Sequence, residues 1–533
     1  MAAVWTKWRA PLAAMLVMLV LALPGFFSLP PVDRDEARFA QSSAQMLASG
    51  DLIDIRLGNE ARYKKPVGIY WLQAAVAGLT GQAQSIWAYR LVSLAGAIAS
   101  VGLTVVISRR VMGEGAAMLA GVLLASCFLL GGEARLAKTD AMQLAAIMAA
   151  QTALAYAFLP YGRLRPPQMR FGMAMLFWVA LGAGILIKGP IPPLVSLTTL
   201  GALCWYRRDL ALWRALRPVT GLAVVAVMVL PWLAAITIKS GGAFWQASVG
   251  QDMLAKVGHG QESHGAPPGT YLALMWLTLW PGSAVLAAAL PTIWRKKRMA
   301  TVIFTAAWII PVWLVFELTA TKLIHYVLPA YPALAILTAW GFTQAKAGPW
   351  ARAAGALLAV LMPAAFLAGI WIGTKRLGVD PGAIYWLGGG ACVMGALGLA
   401  AALWRGTLAN QAASGSAVVI VASLGLAVAL FPTLARLPML WPAVALSQAA
   451  AQHPGCQPIS VGYAEPSALF LTQGRVRFVA PDAMPAELAK PGCLVVAVEA
   501  QSGLTLPLVQ TGSFSGLNIG NGRKIELTFY LRP

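Results

Sequence analysis

Charge is what this sequence has least of. Asp, Glu, Lys and Arg make up 11% of its 533 residues, where a soluble globular chain carries about 25%. Hydrophobic residues make up 59%, and mean hydropathy is +0.70. A water-facing fold cannot hide so much apolar surface, so the surplus must face lipid. Acids are scarcer than bases, 19 against 40 Lys and Arg, leaving a net charge of +21. An excess of that size suits a polyanion such as nucleic acid, but its distribution argues against that partner. Short basic clusters alternate with apolar stretches of roughly 17–22 residues, the length a helix needs to cross about 30 Å of hydrocarbon. The charge records membrane topology instead.

Missing motifs narrow the chemistry. The chain has no Gly-rich phosphate loop, His-Glu-x-x-His, Cys-x-x-Cys pair or Ser-His-Asp signature, so a soluble nucleotide donor has no obvious cradle. It has no internal repeat of the kind found in transporters built from related halves. No small-x-small cleavage site follows the first apolar run, which favours an uncleaved first span over a signal peptide.

Thirteen spans are expected, near 11–29, 86–107, 115–132, 141–159, 171–187, 191–205, 219–237, 271–290, 300–317, 326–342, 353–372, 385–403 and 417–434. Between the first two lies a polar loop, 30–84, with the amphipathic stretch DEARFAQSSAQMLASG. The short apolar helix expected at 66–79, about 14 residues, lies at the interface or re-enters. Alternate loops collect the bases: Lys7 and Arg9; Arg109 and Arg110; Arg163, Arg165 and Arg170; Arg207, Arg208, Arg214 and Arg217; Arg295–Arg298; Lys346 and Arg352; and Arg405. They hold only two acids, Glu114 and Asp209. Short loops rich in Lys and Arg are cytoplasmic, so the N-terminus is expected inside and, after thirteen crossings, the C-terminus outside. Beyond about residue 436, β-like runs (CQPISVGY, RVRFVA, CLVVAVEA, IELTFYLR) alternate with turns and short helical pieces, which predicts a small α/β unit. The expected fold is therefore an all-α polytopic membrane domain, 1–435, followed by a C-terminal α/β periplasmic domain, 436–533.

Of the five cysteines, Cys127, Cys204 and Cys392 fall in spans as small core residues. Cys456 and Cys493 each follow Pro-Gly in the C-terminal unit, where an oxidising compartment permits a disulfide. Two buried thiols are the alternative; joined cysteines are the expectation.

On the outer face the ionisable residues gather in compact groups beside membrane boundaries: Asp33–Arg38, Tyr63–Pro66, Glu133–Asp140 and Thr319–Tyr326, with His259, Glu262 and His264 in the loop 239–269. Charge at membrane depth is costly and usually faces a cavity or a partner. Cations beside carboxylates suit a phosphate-linked substrate whose acceptor hydroxyl a carboxylate orients or deprotonates. An external site has no nucleotide supply, so a sugar carried on a membrane lipid phosphate fits. For each group there is also a plainer reading. Asp33, Arg34 and Arg38 can cap an interfacial helix, Lys64 and Lys65 can snorkel to headgroups, Asp140 can be a helix N-cap, and Lys188-Gly-Pro can be a structural turn.

The segments VDRDEARFAQSSAQMLASGD, YKKPVGIYW, ARLAKTD, ILIKGP and KLIHYVLPAYPALAIL resemble the GT-C superfamily of polyprenyl-phosphate-sugar transferases. The likeness is greatest to the bacterial branch that holds the lipid A aminoarabinose transferase and its protein O-mannosyltransferase relatives. The resemblance implies catalytic acids at Asp35 and Asp140. It implies substrate contacts at Glu36, Arg38, Lys65, Lys322 and Tyr326, with His264 beside Glu262. It also implies an inverting transfer from an undecaprenyl-type phosphate donor to lipid A, a core glycan or another envelope acceptor, by a monomer in the bacterial inner membrane. Protein hydroxyls as acceptors, a lipid or solute transporter, and a non-catalytic assembly protein are the rival readings. Relatives carry a metal-ligating Glu just before the Lys-Pro lysine; this chain has Lys64 there. That loss leaves a reduced ligand set, and transfer without a bound metal is expected.

Overall fold

The computed structural model describes residues 2–159, 169–254, 265–344, 347–406, 412–519 and 522–533. Among these, nine helices are long and apolar enough to cross a membrane: Ile86–Ser108, Asp140–Phe158, Phe171–Lys188, Pro218–Ser240, Ala300–Leu318, Ile324–Gln344, Pro349–Arg376, Gly382–Arg405 and Gly415–Ala435. A tenth arises if Thr270–Thr278 and Gly282–Arg295, bent by 115° about Pro281, count together. The remaining expected spans carry shorter apolar helices. In α1 (Ala2–Ala22) the apolar part is Trp8–Ala22, which stops before Pro24-Gly25. The stretch 115–132 divides at Ser126-Cys127 into α5 (Glu114–Ala125) and α6 (Phe128–Glu133). The segment at 191–205 forms a helix of 17 residues, Ile191–Arg207.

The central helices are those that carry the site. α7 (Asp140–Phe158) and Ile324–Gln344 are 78% and 89% buried over their apolar windows, whereas Pro218–Ser240 and Pro349–Arg376 are 22% and 17% buried and present their apolar surface outward. α4 (Ile86–Ser108) packs backbone to backbone on α7, because Gly96 has no side chain: a Cβ there would lie 2.6 Å from the Ala141 carbonyl oxygen. Gly68 does the same for α3 (Gly68–Thr80) against the last turn of α8 (Phe171–Lys188), where a Cβ would meet the Leu186 carbonyl at 2.8 Å. These two approaches set the starting residue of α7 and the final residue of α8 side by side.

The amphipathic stretch forms α2 (Asp35–Ser49), and the short apolar helix expected at 66–79 forms α3. Between them a two-residue hairpin pairs Arg56 with Ala61. The C-terminal segment carries a five-stranded sheet, β3 (Gln457–Val461), β4 (Arg477–Val479), β5 (Leu494–Glu499), β6 (Val509–Leu517) and β7 (Lys524–Arg532), in the order β4-β3-β5-β7-β6. The hairpin strands Arg56–Leu57 and Glu60–Ala61 are β1 and β2. β3 is parallel to β4 and β5, with Ile459 opposite Val496; β7 is antiparallel to β5 and β6. Alternating side chains cover both faces, Val496, Val498 and Tyr530 on one and Ala497, Leu527 and Phe529 on the other. Cys456 and Cys493 form a disulfide at the entries of β3 and β5. β6, with the sequence VQTGSFSGL, had no apolar run to announce it; it is a largely exposed edge strand.

Candidate active site

A cavity of about 310 Å³ opens where four chain segments converge: the start of α2, the loop before α3, the turn between α6 and α7, and the residues Thr321–Tyr326. Asp35 is the first residue of α2, half exposed, with an Arg38 nitrogen 3.6 Å from its carboxylate. Enclosure in the cavity works to raise its pKa, but Lys138, Arg62 and Arg38 outweigh that and hold the carboxyl below its ordinary range. It is an ionised acid among cations. Arg62 is aimed by its neighbours: Nε donates to the Tyr70 hydroxyl at 3.3 Å, and the guanidinium lies 5.2 Å from the Phe39 ring centroid.

The flanking acids are both occupied by protein. Glu36 is buried; one carboxylate oxygen accepts from Arg90 Nε at 2.8 Å and the Ala137 amide at 2.9 Å, the other from Arg90 and the Val32 amide, each at 2.9 Å. Arg90, buried in α4, also donates to the carbonyls of Phe26, Leu29 and Pro30. Glu36, expected to contact substrate, borders the cavity, but its carboxylate accepts four hydrogen bonds from the protein and holds the loop. Asp33 accepts from the hydroxyls of Ser467 and Tyr463, the latter at 3.2 Å. Burial pushes its carboxyl up to about 7 against the lowering pull of the Ser467 bond.

Below Asp35 lies a buried charge cluster. Lys138 Nζ donates to Glu133 at 3.0 Å and stands 3.9 Å from Asp140. Lys188, at the end of α8, donates to the other oxygen of Asp140. His325 stands between the two acids, one ring nitrogen 3.7 Å from Glu133 and the other 3.7 Å from Asp140, too far for hydrogen bonds. Asp140 is therefore more than a helix cap, and Lys188 more than a turn residue. Sequence motifs contained Lys138 and His325 without distinguishing them, and offered Lys188 mainly as part of a structural turn. Arg90 carried a usable signal, a lone charge inside an otherwise apolar span.

Lys65 and Tyr326 line the cavity as expected, with Lys64 and Arg34. Lys322 does not. Its ammonium donates to the carbonyls of Glu317 and Thr319 at 2.7 and 2.9 Å, capping the helix Ala300–Leu318, whose final carbonyls lack intrahelical partners. His264, Glu262 and His259 lie outside the described residues.

Glu133, Asp140 and His325 bring one potential ligand atom each within 4.8 Å of one another. The charges do not fit a dication. Lys138 and Lys188 already neutralise the two carboxylates, and both ammonium groups would have to move or lose protons to admit one.

With fold and cavity in view, the chain can be set beside known proteins. Residues 5–245 match the family model of dolichyl-phosphate-mannose-protein mannosyltransferase. The chain is 29% identical over 336 residues to an undecaprenyl phosphate-alpha-4-amino-4-deoxy-L-arabinose arabinosyl transferase of Pseudomonas aeruginosa (strain UCBPP-PA14), covering 61% of this chain and 59% of that one. It is 27% identical over 371 residues to a protein of the same description in Pseudomonas fluorescens (strain Pf0-1), covering 67% and 64%. The chain thus spans about three fifths of the length of these relatives. Its fold is that of ArnT from Cupriavidus metallidurans, with TM-score 0.78 in the apo state and 0.77 with undecaprenyl phosphate bound, at 18% identity and over 99% of this chain and 98% of that one. The chain is a multi-pass membrane protein with an ArnT-like fold. In particular, it resembles the polyprenyl-phosphate-sugar glycosyltransferases of the ArnT and protein-mannosyltransferase kind.

Proposed function

We propose that this chain is an inner-membrane glycosyltransferase that moves a sugar from an undecaprenyl-type phosphate to a periplasmic acceptor, lipid A or a lipopolysaccharide core first among them. One observation carries this reading: an ionised carboxylate, Asp35, faces Arg38, Arg62 and Lys138 in a cavity that Lys65 and Tyr326 also line. The acceptor oxygen attacks the anomeric carbon as the bond to the lipid phosphate breaks, with inversion. The leaving phosphate gains negative charge, which Arg38, Lys65 and the Tyr326 hydroxyl stabilise because they are already in place. Asp35 orients an acceptor hydroxyl and takes its proton; for an ionised phosphate acceptor it serves to position only. Asp140 holds Lys138 and Lys188 at the cavity floor.

The basic loops support a cytoplasmic N-terminus and thirteen crossings, counting the bent pair and the three short helices. That topology leaves residues 436–533 as a periplasmic domain, and the Cys456–Cys493 disulfide suits an oxidising compartment. The decisive experiment reconstitutes the purified chain in liposomes. It is supplied with lipid A and undecaprenyl-phosphate-linked sugars, starting with the 4-amino-4-deoxy-L-arabinose in the relatives' names, and products are read by mass spectrometry. A glycosyl increment on the acceptor with release of undecaprenyl phosphate is expected. Failure to consume any lipid-linked sugar, together with an unchanged envelope lipid profile in cells lacking the gene, would overturn the assignment.

A further inference from the structure

The loop that delivers Asp35 is held at both ends. On its far side, Glu36 is fixed by Arg90 of α4 and the Ala137 amide of the α6–α7 turn, and it also accepts from the Val32 amide within the loop itself. On its near side, Asp33 is fixed by Ser467 and Tyr463, which lie more than 420 residues away beside the C-terminal sheet. Both hydroxyl-bearing residues are buried, Ser467 at 0% exposure and Tyr463 at 2%. Between these anchors Arg34 adopts φ 66°, ψ −110°, a region that non-glycine residues hold only where the surroundings impose it. No side chain caps the N-terminus of α2, so the direction in which Asp35 leaves the loop depends on the two flanking carboxylates.

The short helix Pro466–Leu471 is seated to do this. Phe470 packs edge-on against Tyr89, ring centroids 5.6 Å apart, and joins Ala40 of α2, Ala77 of α3 and Ala137 of the α6–α7 turn in one apolar cluster. Ser467 therefore approaches Asp33 from a helix wedged behind the cavity. The other charged groups that face Asp33 are Glu465 and Arg34.

We infer that Ser467 and Tyr463 are positioning residues for the transfer: through Asp33 they fix the backbone that aims Asp35, so the C-terminal segment governs the rate without touching substrate. This rests on the reading of Asp35 as the acid that orients the acceptor. Displacement of a reacting group by about 1 Å can cost on the order of a hundredfold in rate, and losing both hydroxyls frees the near end of the loop while Glu36 keeps the far end.

The test uses the full-length double variant Ser467→Ala with Tyr463→Phe, which retains both apolar bodies. Two measurements are made on the purified protein, transfer in liposomes and hydrogen exchange in detergent. In the liposome transfer assay, kcat is expected to fall by on the order of ten- to a hundredfold, with donor KM within about twofold and an unchanged elution profile. In hydrogen exchange, the amides of residues 33–38 are expected to lose protection while β3, β5 and β7 keep theirs. A kcat within about twofold of wild type, a rise in KM at constant kcat, or unchanged protection at 33–38 would each overturn the inference. If wild type itself transfers nothing, the functional reading fails, and the exchange experiment still decides whether the anchor exists.

Discussion

The pair Glu36–Arg90 offers a sharp test of how the site is held. Both side chains are buried, at 1% and 0% exposure, and each oxygen of the carboxylate accepts two hydrogen bonds. Glu36→Gln keeps the shape but puts an NH2 where an acceptor stood, facing the Arg90 guanidinium and either the Ala137 or the Val32 amide, and leaves the guanidinium without its counter-charge. Removing one member of a buried ion pair costs about 3–5 kcal/mol. Arg90→Met should cost a similar amount, since it also strips a donor from the carbonyls of Phe26, Leu29 and Pro30. In the double variant Glu36→Gln, Arg90→Met no charge is stranded, so its loss should fall short of the sum of the singles by about 2–3 kcal/mol. Unfolding in mixed detergent and dodecyl sulfate micelles, followed by tryptophan fluorescence, measures all three. A Glu36→Gln protein that unfolds with wild type but binds the donor more weakly would refute the argument and restore Glu36 as a substrate contact.

Three further outcomes are expected. Asp35→Asn should cut transfer by about a hundredfold or more with normal insertion and unfolding; near wild-type turnover would remove Asp35 from the mechanism. Asp33 holds its proton to about pH 7 in the folded chain, against an ordinary value of 3.8, so the unfolded chain ionises first and stability should fall as pH rises from about 4 to 7. Melting curves of Asp33→Asn should be flatter across that window; curves parallel to wild type would exclude this origin. Chelators should leave transfer intact, and Lys64→Glu should raise donor KM by about tenfold, the loss of a charge-assisted contact; stoichiometric zinc whose removal abolishes activity and whose return restores it would refute both.

Much of the membrane fold was legible because the bilayer imposes one length and one composition on every span. The amphipathic helix at Asp35, the short helix after Lys65 and the Cys456–Cys493 pairing were read correctly for similar local reasons. Span integrity was not legible: hydropathy cannot see that 115–132 divides at Ser126-Cys127 or that 271–290 bends at Pro281. Strand β6 escaped because an exposed edge needs no apolar alternation. Lys322 shows the complementary case. Its motif sits beside the site, but the place of its ammonium, on the carbonyls that end Ala300–Leu318, follows from the trajectory of that helix.

The residues of one loop are brought together by covalent adjacency, so the sequence alone determined that Asp35 and Arg38 would share a helix turn and that Lys65 would precede α3. The sequence could not determine that Asp140 meets Lys188 and His325, that Glu36 meets Arg90, or that Asp33 meets Ser467. Those pairs are separated by 48 to 434 residues, and their meeting depends on helices whose backbones approach closely enough to align their ends. Gly96 against Ala141 and Gly68 against Leu186 permit that approach. Their effect is steric, and it exists only once the opposing helix is in place.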